Sequence, residues 1–506
     1  MPLTRWWNRA RDVAGAPHTR GLAVTMEEWT ACTGDVAASG ARLLAMWAGA
    51  CEPESRAPHC DGHAHETTDV YAAFLTDRGV FVLELPVGRA GASSGTDFRG
   101  IEGLFPCASR MQRAMFDVSG VRSSDPDRRP WLRHPAEGYD FVPVAGEGVH
   151  EIAVGPVHAG TIEPGHFRFS VVGEKVLRLE ERLGYTHKGI ERRFTELPLL
   201  EGHRLAARIA GDSTVGYSWA YCQALEGMAG CSIPPRAAAL RALFLELERI
   251  ANHLGDIGAI ANDAGFAFGL SQFSRLKERL LRQIEQAFGQ RYLLDAVAPG
   301  GTRTDVGAQA AERLAAHIAA VAGETVQLRG IHEDHAGLRD RFAGAGILTP
   351  QLASRLGVVG LAGRASGQAL DLRVDLPCAP YDELDCAKVV HTGGDVAARV
   401  AVRFDELAQS CRLACTLLAS LPGGAHLIPV PPPPEGSFAT GLIEGWRGPV
   451  LLALEAGPRG TIRRCHPHDP SWQNWPALEH AIPGNIVADF PLINKSFNLA
   501  YSGVDL

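Results

Sequence analysis

Hydrophobic and polar positions alternate with a period of two in two parts of the chain. Runs at 70–76 and 80–87 flank a glycine-containing turn, and runs at 167–172 and 176–179 flank a Gly-Glu pair. Such alternation is typical of strands with one buried face, and glycine in a short connection favours a hairpin. The sequence therefore predicts two β-hairpins.

The second half of the chain shows helical periodicity instead. Apolar residues recur every three or four positions, and proline or glycine stands at several segment ends. Four amphipathic helices are predicted, at 236–265, 275–288, 309–329 and 396–421. Two more are predicted near the N terminus, at 43–51 and in the run ending at Gly120. The tail from Leu442 is expected to alternate short strands with turns, and the glycine-rich segment 357–367 to bend close to another element.

These patterns predict an α+β protein of two domains. Residues 1–145 form an α+β domain, and residues 150–506 form a mainly helical domain with small β elements at its start and end. A chain of 506 residues with 46% hydrophobic and 21% charged residues is ordinary for a globular protein. No internal repeat interrupts this division.

Charge and cysteine content exclude several classes. The net charge is −8 and no Lys/Arg-rich run occurs, which argues against nucleic acid as a partner. Apolar runs fall short of the roughly 20 residues that a membrane span needs, and the N terminus lacks a secretory signal. Eleven scattered Cys fit reduced thiols, so we expect a cytoplasmic protein. Without a Cys quartet or a Gly-x-Gly-x-x-Gly fingerprint after a strand, the chain is not expected to hold an iron–sulfur cluster or a dinucleotide.

Titratable side chains are concentrated between Gly155 and Ser213. Such density beside Gly and Pro turns is typical of places where protons move, and a solvated helix face with i, i+4 charge pairs is an equally good interpretation. The residues concerned are Glu163, His166, Glu180, Glu181, His187, Glu191, His203 and Arg208.

Two other clusters contain metal-ligating residue types. The first lies between Pro and Gly without a second ligand pair, which favours a surface loop. The second fits a packed loop or a partner contact as well as a metal site. The clusters are His59, Cys60, His63 and His65, and then His466, His468 and Asp469.

Three segments, GPVHAGTIEPGHFRF, LGYTHKGIE and RIAGDS, resemble the large subunit of membrane-bound nickel–iron hydrogenases, especially of the formate-hydrogenlyase type. They also resemble the related 49 kDa quinone-site subunit of respiratory complex I. The resemblance runs from about Gly155 to Leu506 and implies the fold of those subunits for the second domain.

A second resemblance covers much of the N-terminal part. The stretch from Met111 to Phe141 looks like the signature of the 30 kDa subunit of complex I, which is fused to the large subunit in formate-hydrogenlyase-type proteins. Gln112 and Ala114 stand where that signature has an acidic pair. The matching residues are Phe116, Asp117, Gly120, Arg129, Pro130 and His134.

Nickel–iron enzymes hold their metals with four Cys thiolates, two near each end of the large subunit, because soft thiolates suit nickel and iron. The resemblance places Ala210, Ser213, Ala500 and Gly503 at those four positions. Cys411 and Cys415 lie one helical turn apart, which is more typical of packing. No metal ligand is therefore expected, and hydrogen turnover is the least favoured function.

The resemblance also implies roles for individual residues. Complex I lost the same thiolates, so the cavity is expected to serve a quinone or to couple electron transfer to proton movement. His158 and Tyr217 are candidate quinone-binding residues, although Tyr217 and His166 are equally good structural hydrogen bonders. For Arg208, the alternative to a catalytic role is an ion pair with Asp212 or Glu163. For Asp382, the alternative is a solvated position on the protein surface. The candidate catalytic residues are Glu163, His166, Arg208, Asp263, Asp382, Glu444 and Arg447.

By resemblance, the chain is a core subunit of a membrane-bound, energy-converting oxidoreductase, with NAD and quinone binding among the functions of such complexes. The expected partners are a small iron–sulfur subunit and antiporter-like membrane subunits, which would hold the chain on the inner face of the cytoplasmic membrane. A non-catalytic scaffold protein is the alternative, and an active nickel–iron hydrogenase a weaker one.

Overall fold

The protein was analysed as a computed structural model, which describes residues 2–49, 67–88, 97–132, 134, 138–158 and 162–506. The cluster of His59, Cys60, His63 and His65 lies outside the described residues. Within the described ranges, no helix combines the length and apolarity needed to cross a membrane.

Helices account for most of the regular structure. They are α1 (Pro2–Arg9), α2 (Met26–Ala38), α3 (Ala108–Ser119), α4 (Ile190–Phe194), α5 (Gly202–Ala206), α6 (Thr214–Met228), α7 (Pro235–Asp263), α8 (Ala267–Phe288), α9 (Ala308–Asp334), α10 (Ala336–Phe342), α11 (Pro350–Leu356), α12 (Gly360–Ala365), α13 (Leu372–Asp375), α14 (Val396–Ala419), α15 (Ser471–Ala481), α16 (Phe490–Phe497) and α17 (Ser502–Asp505).

The strands are short by comparison. They are β1 (Arg11–Asp12), β2 (Ala14–Gly15), β3 (Thr19–Ala23), β4 (Arg42–Ala48), β5 (Thr67–Thr76), β6 (Gly79–Gly88), β7 (Val149–Val154), β8 (His166–Val172), β9 (Lys175–Arg182), β10 (Val297–Ala298), β11 (Gly301–Thr302), β12 (Phe438–Glu444), β13 (Pro449–Ala456) and β14 (Ile462–His468).

The N-terminal region is built on a five-stranded sheet. Its strand order is β1-β3-β6-β5-β4, with β3 parallel to β6 and the other pairs antiparallel. The β5–β6 hairpin confirms the alternating pattern of 70–87. Helix α3 packs on β4, and Gly120 ends it in the left-handed conformation, as the sequence predicts.

The first strands of the chain also enter the C-terminal region. A four-stranded sheet has the order β14-β13-β12-β2, and Ala14 and Gly15 of β2 pair in parallel with Ala439 and Thr440 of β12. Gly15 has φ +99°, and a Cβ there would collide with the Thr440 carbonyl. The two regions therefore share one sheet.

The C-terminal region is a helical bundle between two small sheets. Helix α7 packs against α8 and α14, and α9 packs against α14. The predicted hairpin at 167–179 is confirmed as β8 and β9, which β7 extends to three strands. Helices α7, α8, α9 and α14 confirm the four predicted amphipathic helices. The bundle places the starts of α6, α12 and α17 near one another, where the candidate site lies.

Two predictions of secondary structure were wrong. Residues 43–51 were expected to be helical but contain the strand β4, which is buried on both faces, so that its apolar run has no period of two. The tail after Leu442 contains β12 to β14 as expected but then continues as helices. Ser471 is the first residue of α15, and its amide, which has no acceptor within the helix, donates to the Asp469 carboxylate.

Candidate functional site

A guanidinium joins the two chain segments that correspond to the hydrogenase metal-binding ends. Arg447 lies in the turn between β12 and β13, and its side chain is 7% exposed. Its Nη1 and Nη2 donate to the Asp212 carboxylate at 2.7 and 2.5 Å, and its Nε donates to the Asn498 carbonyl at 2.6 Å. Its Nη1 also lies 3.2 Å from Ser213 Oγ. We call these four residues the Arg447 junction.

The charges in the junction stabilise each other. Burial opposes ionisation of Asp212, but the Arg447 guanidinium outweighs it and lowers the pKa of the carboxyl below its ordinary value. Burial likewise opposes the charge on Arg447, and Asp212 raises the pKa of the guanidinium. Because Asp212 remains 39% exposed at its side chain, the pair is half-solvated.

Asp469 occupies the space beside the last ligand position. It accepts a 2.7 Å hydrogen bond from the Tyr217 hydroxyl, and both side chains are buried. A Cβ added at Gly503 would lie 2.8 Å from Asp469 Cγ, which is too close for any side chain there. Burial and the neighbouring Asp469 carboxylate raise the pKa of Tyr217 well above its ordinary value, so the phenol stays protonated.

These residues do not fit a nickel–iron centre. Ala210 and Ala500 are buried and present only methyl groups, while Gly503 has no room for a side chain. The remaining ligand position, Ser213, faces the positive charge of Arg447, which would repel a metal cation. No group of three or more His, Cys, Asp and Glu side chains placed to hold a metal occurs in the described part of the chain.

Behind the junction lies a set of buried ion pairs, which we call the ionic core. Arg364 on α12 donates to Glu406 and to Glu444, each at 2.7 Å, and all three side chains are fully buried. Arg249 donates to the Glu444 and Gly445 carbonyls, which anchors the turn that carries Arg447. The members are Glu246, Arg249, His253, Arg364, Asp371, Arg373, Glu406 and Glu444.

The pKa values in the ionic core follow the number of cations at each carboxylate. Burial disfavours the ionised form of Glu406, but Arg364, His253 and Arg249 together lower its pKa well below the ordinary value. Burial and the nearby Asp371 raise the pKa of Glu444 to about 7, against the guanidinium groups of Arg364 and Arg249.

The loop before β8 meets the C-terminal segment. Glu163 is exposed, and its Oε2 accepts a 3.0 Å hydrogen bond from the Ser502 amide. His158 and His166 direct their Nδ1 atoms at the Pro156 and Gly155 carbonyls, at 3.2 and 3.4 Å. The Nε2 atoms of both histidines are shielded from solvent and have no hydrogen-bond partner among the described residues.

Asp505 ties the same segment to the loop after β9. Its carboxylate accepts hydrogen bonds from the Gly184 and Thr186 amides and from the Thr186 hydroxyl, at 2.5 to 2.9 Å. Asp505 is fully buried, so α17 is fixed against the start of the region. No local pattern indicates this pairing, since its partners lie some 320 positions away.

Two predicted site residues lie away from the junction. Arg208 was predicted as a catalytic residue, with an ion pair to Asp212 or Glu163 as the alternative. It instead forms a bidentate ion pair with Asp295, at 2.6 and 2.9 Å, because Arg447 already holds Asp212. Asp382 is exposed, whereas Asp371, eleven positions earlier, belongs to the ionic core. Asp263 lies half-buried at the end of α7, where burial raises its pKa against the attraction of Lys495.

The histidines of CHPHD are packed inside the protein. His466 Nδ1 lies 2.5 Å from Glu191 Oε1, and its ring stacks on Trp47 of the N-terminal sheet. His468 Nε2 lies 3.2 Å from Gln473. These two side chains therefore help join the two regions, which agrees with the packed-loop interpretation.

Of the eight members of the ionic core, only Glu444 was predicted as a site residue. A signal for three of the other members, Glu246, Arg249 and His253, was present in α7, where these polar residues recur at helical spacing among mostly apolar positions. A charged stripe on a helix flanked by apolar residues on both sides indicates paired buried charges rather than a solvated face.

The chain is similar to subunits of several membrane-bound oxidoreductase complexes. Residues 263–435 match the family described as respiratory-chain NADH dehydrogenase, 49 Kd subunit. Formate hydrogenlyase subunit 5 of Escherichia coli K12 is 31% identical, covering 76% of this chain and 68% of that protein. The C/D subunit of the NADH-quinone oxidoreductase of Bacteroides fragilis is 28% identical, covering 70% of this chain and 67% of that protein. A chain in the solved membrane-bound sulfane sulfur reductase, an archaeal respiratory membrane complex, is 25% identical with a TM-score of 0.67, covering 72% of this chain and 100% of that one.

Proposed function

Because this chain belongs to the family that unites formate-hydrogenlyase-type large subunits with the 49 kDa subunit of respiratory NADH dehydrogenase, we propose that it is a core subunit of a membrane-associated, energy-converting oxidoreductase complex. In this proposal, electron transfer within the complex drives a rearrangement of charged groups in this chain, and the rearrangement is coupled to ion translocation. No nickel–iron centre takes part.

The Arg447 junction is the observation that carries the proposal. It joins the two segments that hold metals in hydrogenases by hydrogen bonds to Asp212 and Asn498, in place of metal–thiolate bonds. Such a junction is a charged contact between two loops, one side of which is half-solvated. A change of charge nearby would alter its strength, because an ion pair in a partly dry site responds to local charge more than one in water does.

The proposed partners would supply the electrons and the attachment to the membrane. A small iron–sulfur subunit would deliver electrons, and antiporter-like membrane subunits would hold the complex on the inner face of the cytoplasmic membrane. A quinone is the proposed acceptor, with the unpartnered Nε2 atoms of His158 and His166 as hydrogen-bonding groups for its oxygens. Tyr217 is a weaker candidate, since its hydroxyl already donates to Asp469.

The experiment isolates the complex from native membranes through an affinity tag on this chain. Nickel and iron are measured per complex, and the accompanying subunits are identified by mass spectrometry. Electron transfer from a reduced viologen to a short-chain ubiquinone is then measured in vesicles together with ion uptake. The variants are Arg447→Lys, His166→Gln and the surface control Arg355→Lys.

We expect an iron–sulfur subunit and membrane subunits in the preparation, with nickel far below one atom per complex. Arg447→Lys should lower ion uptake per electron at least several-fold, because an ammonium cannot hold Asp212 and Asn498 together as a guanidinium does. His166→Gln should weaken quinone reduction, and Arg355→Lys should change neither. Stoichiometric nickel would overturn the proposal in favour of a hydrogenase. Unchanged transport and electron transfer in both site variants would instead support a scaffold.

A further inference from the structure

Glu248 is a buried carboxyl beside the Arg447 junction. It lies on α7 and is 9% exposed. Its oxygens accept hydrogen bonds from the Val215 and Gly216 amides in the first turn of α6, at 2.7 and 3.3 Å. Within the described part of the chain, no Lys, Arg or His nitrogen lies within ion-pair distance of it. Two amide dipoles therefore stabilise its negative charge, with a smaller contribution from the charge of Arg249.

A cavity of about 70 Å³ connects this carboxyl with the protein surface. Its inner part is lined by Glu248 and apolar side chains of α7 and α8, and its outer part by Gly211 and Tyr292, both exposed. A space of this size holds several water molecules, and the polar lining gives them partners. The cavity is therefore large enough for water to pass between Glu248 and bulk solvent.

Asp212 lies on the wall of the same cavity. Asn252 donates from its amide nitrogen to the backbone carbonyls of Asp212 and Glu248, at 2.8 and 3.0 Å, and so fixes the two residues relative to each other. The carboxyl that faces the cavity water and the carboxyl that holds Arg447 are therefore close neighbours. Any change of charge on one of them acts directly on the other.

Every element packed around the cavity contributes a charged or titratable group. Helix α7 itself supplies Arg249, and the segment before α6 supplies Asp212 with its partner Arg447. Helix α8 supplies Lys277, and the loop after it supplies Arg291 and Tyr292. Of these groups, Asp212 raises the pKa of Glu248 and Arg249 lowers it.

The proton affinity of Glu248 agrees with this environment. Burial, aided by the negative charge of Asp212, raises the pKa of Glu248 to about 8 against the opposing hydrogen bonds from Val215 and Gly216. Glu248 is therefore mostly protonated at neutral pH and loses its proton on a modest change in local charge. A carboxyl that served only as a cap for α6 would need neither burial nor a cavity.

We propose that Glu248 is the proton-exchanging group of this site, which releases its proton to the cavity water when the negative charge near the Arg447 junction decreases and takes a proton up again when negative charge returns. In each cycle an O–H bond of hydronium breaks and an O–H bond of the carboxyl forms, without a change in electron count. The second half of this inference, the link to electron arrival, rests on the proposed function. The first half, exchange through the cavity, is a property of the chain itself.

The first measurement uses the full-length chain and does not depend on activity. Infrared spectra of the carboxyl C=O band are recorded across a pH titration in H2O and D2O for the wild type, Glu248→Gln, Asp212→Asn and Glu312→Gln. Glu312 is an exposed glutamate on α9 and is the matched control. The same variants are then tested in the isolated complex by measuring proton uptake on reduction with a viologen.

We expect a protonated carboxyl band that titrates near pH 8, shifts promptly in D2O, is absent in Glu248→Gln and is unchanged in Glu312→Gln. In Asp212→Asn its midpoint should fall by about one pH unit, because a neighbouring negative charge is lost. Proton uptake on reduction should lose its component with that midpoint in Glu248→Gln.

Three results would overturn the inference. The band would be missing from the wild type at neutral pH, or it would not shift in D2O, which would mean that no water reaches Glu248. Alternatively, proton uptake in the complex would keep its full pH dependence in Glu248→Gln while the nickel content and the accompanying subunits still supported the proposed function. In that last case the proposed function would be retained, and only the proton-exchanging role of Glu248 would be rejected.

Discussion

Glu406 on α14 and Glu248 on α7 are both buried glutamates, with exposures of 0% and 9%, but they lie in opposite surroundings. Glu406 in the ionic core contacts Arg364 and His253, with Arg249 nearby. Glu248 faces two backbone amides and a cavity. The pKa of Glu406 is held well below its ordinary value, whereas that of Glu248 is raised to about 8.

The difference shows that burial alone does not decide what a carboxyl does in this protein. Glu444 is intermediate, because burial and the negative charge of Asp371 outweigh the guanidinium groups of Arg364 and Arg249 and raise its pKa to about 7. Each added cation lowers the proton affinity of a buried carboxylate and fixes it in place. The ionic core is therefore suited to holding the turn that carries Arg447, whereas Glu248 beside the cavity is suited to exchanging protons.

The sharpest way to break this comparison is to remove the central cation of the ionic core. Arg364→Met leaves Glu406 and Glu444 buried without their shared guanidinium, and we expect a loss of about 3–5 kcal/mol in the free energy of unfolding. Denaturant titration followed by circular dichroism measures it. Arg355→Met on the neighbouring α11, an exposed arginine, should stay within about 0.5 kcal/mol. Similar values for both variants would contradict a structural role for the ionic core.

Removing the junction guanidinium should have a smaller effect. Arg447→Met deprives Asp212 and Asn498 of their partner, but water reaches Asp212, which is 39% exposed at its side chain. We therefore expect a loss of about 2 kcal/mol, less than for a fully buried pair. Arg447→Lys should recover part of it, since one ammonium replaces only one of the two contacts. If Arg447→Met lowered the free energy of unfolding as much as Arg364→Met does, the junction would behave as a fully buried ion pair like those of the ionic core.

Because its pKa is raised, Glu248 should make the free energy of unfolding fall as the pH rises, whereas a salt-bridged carboxylate makes it increase with pH. The pKa of Glu248 is about 8 in the folded chain and 4.5 as its ordinary value, so the folded state binds more protons between those two pH values. Its contribution to stability is present below pH 4.5 and is lost as the pH rises to about 8, by up to about 1.4 kcal/mol per pH unit. Glu248→Gln should reduce this slope in denaturant titrations, most clearly between pH 7 and 8, where the contribution of Glu444 is already largely lost, and an unchanged slope there would refute the prediction.

The smallest effect is expected at the surface. Arg208 pairs with Asp295, but their side chains are 48% and 29% exposed. Arg208→Ala should therefore cost less than about 1 kcal/mol, and less still in high salt. A double-mutant cycle with Asp295→Ala isolates the energy of the pair. A coupling energy as large as the loss in Arg447→Met would show that Arg208 and Arg447 contribute equally to stability.

Periodic elements and motif positions were predictable from the sequence, and contacts between distant residues were not. The β5–β6 hairpin and α7 follow from local patterns. Strand β4 did not, because a strand covered on both faces has the same uniform apolar composition as a buried helix segment.

Within the site, the ligand positions Ala210 and Gly503 follow from resemblance, but the side chain that fills the space between them does not. Asp469 meets Tyr217 across 252 positions, and Arg447 meets Asp212 across 235. Contacts between residues so far apart in the sequence cannot be inferred from the periodicity of local segments. The choice of Asp295 over Asp212 as the partner of Arg208 is likewise decided by the fold.

The pairing of β2 with β12 has a consequence for the order in which the protein is made. Ala14 and Gly15 leave the ribosome more than 400 residues before Ala439 and Thr440, their neighbours in the sheet. Until the last part of the chain is synthesised, the N-terminal segment cannot form this pairing. A gene divided between residues 145 and 150 would leave the edge of β12 bare and prone to pair with other chains. A separate C-terminal polypeptide should therefore aggregate unless its N-terminal counterpart is supplied during translation.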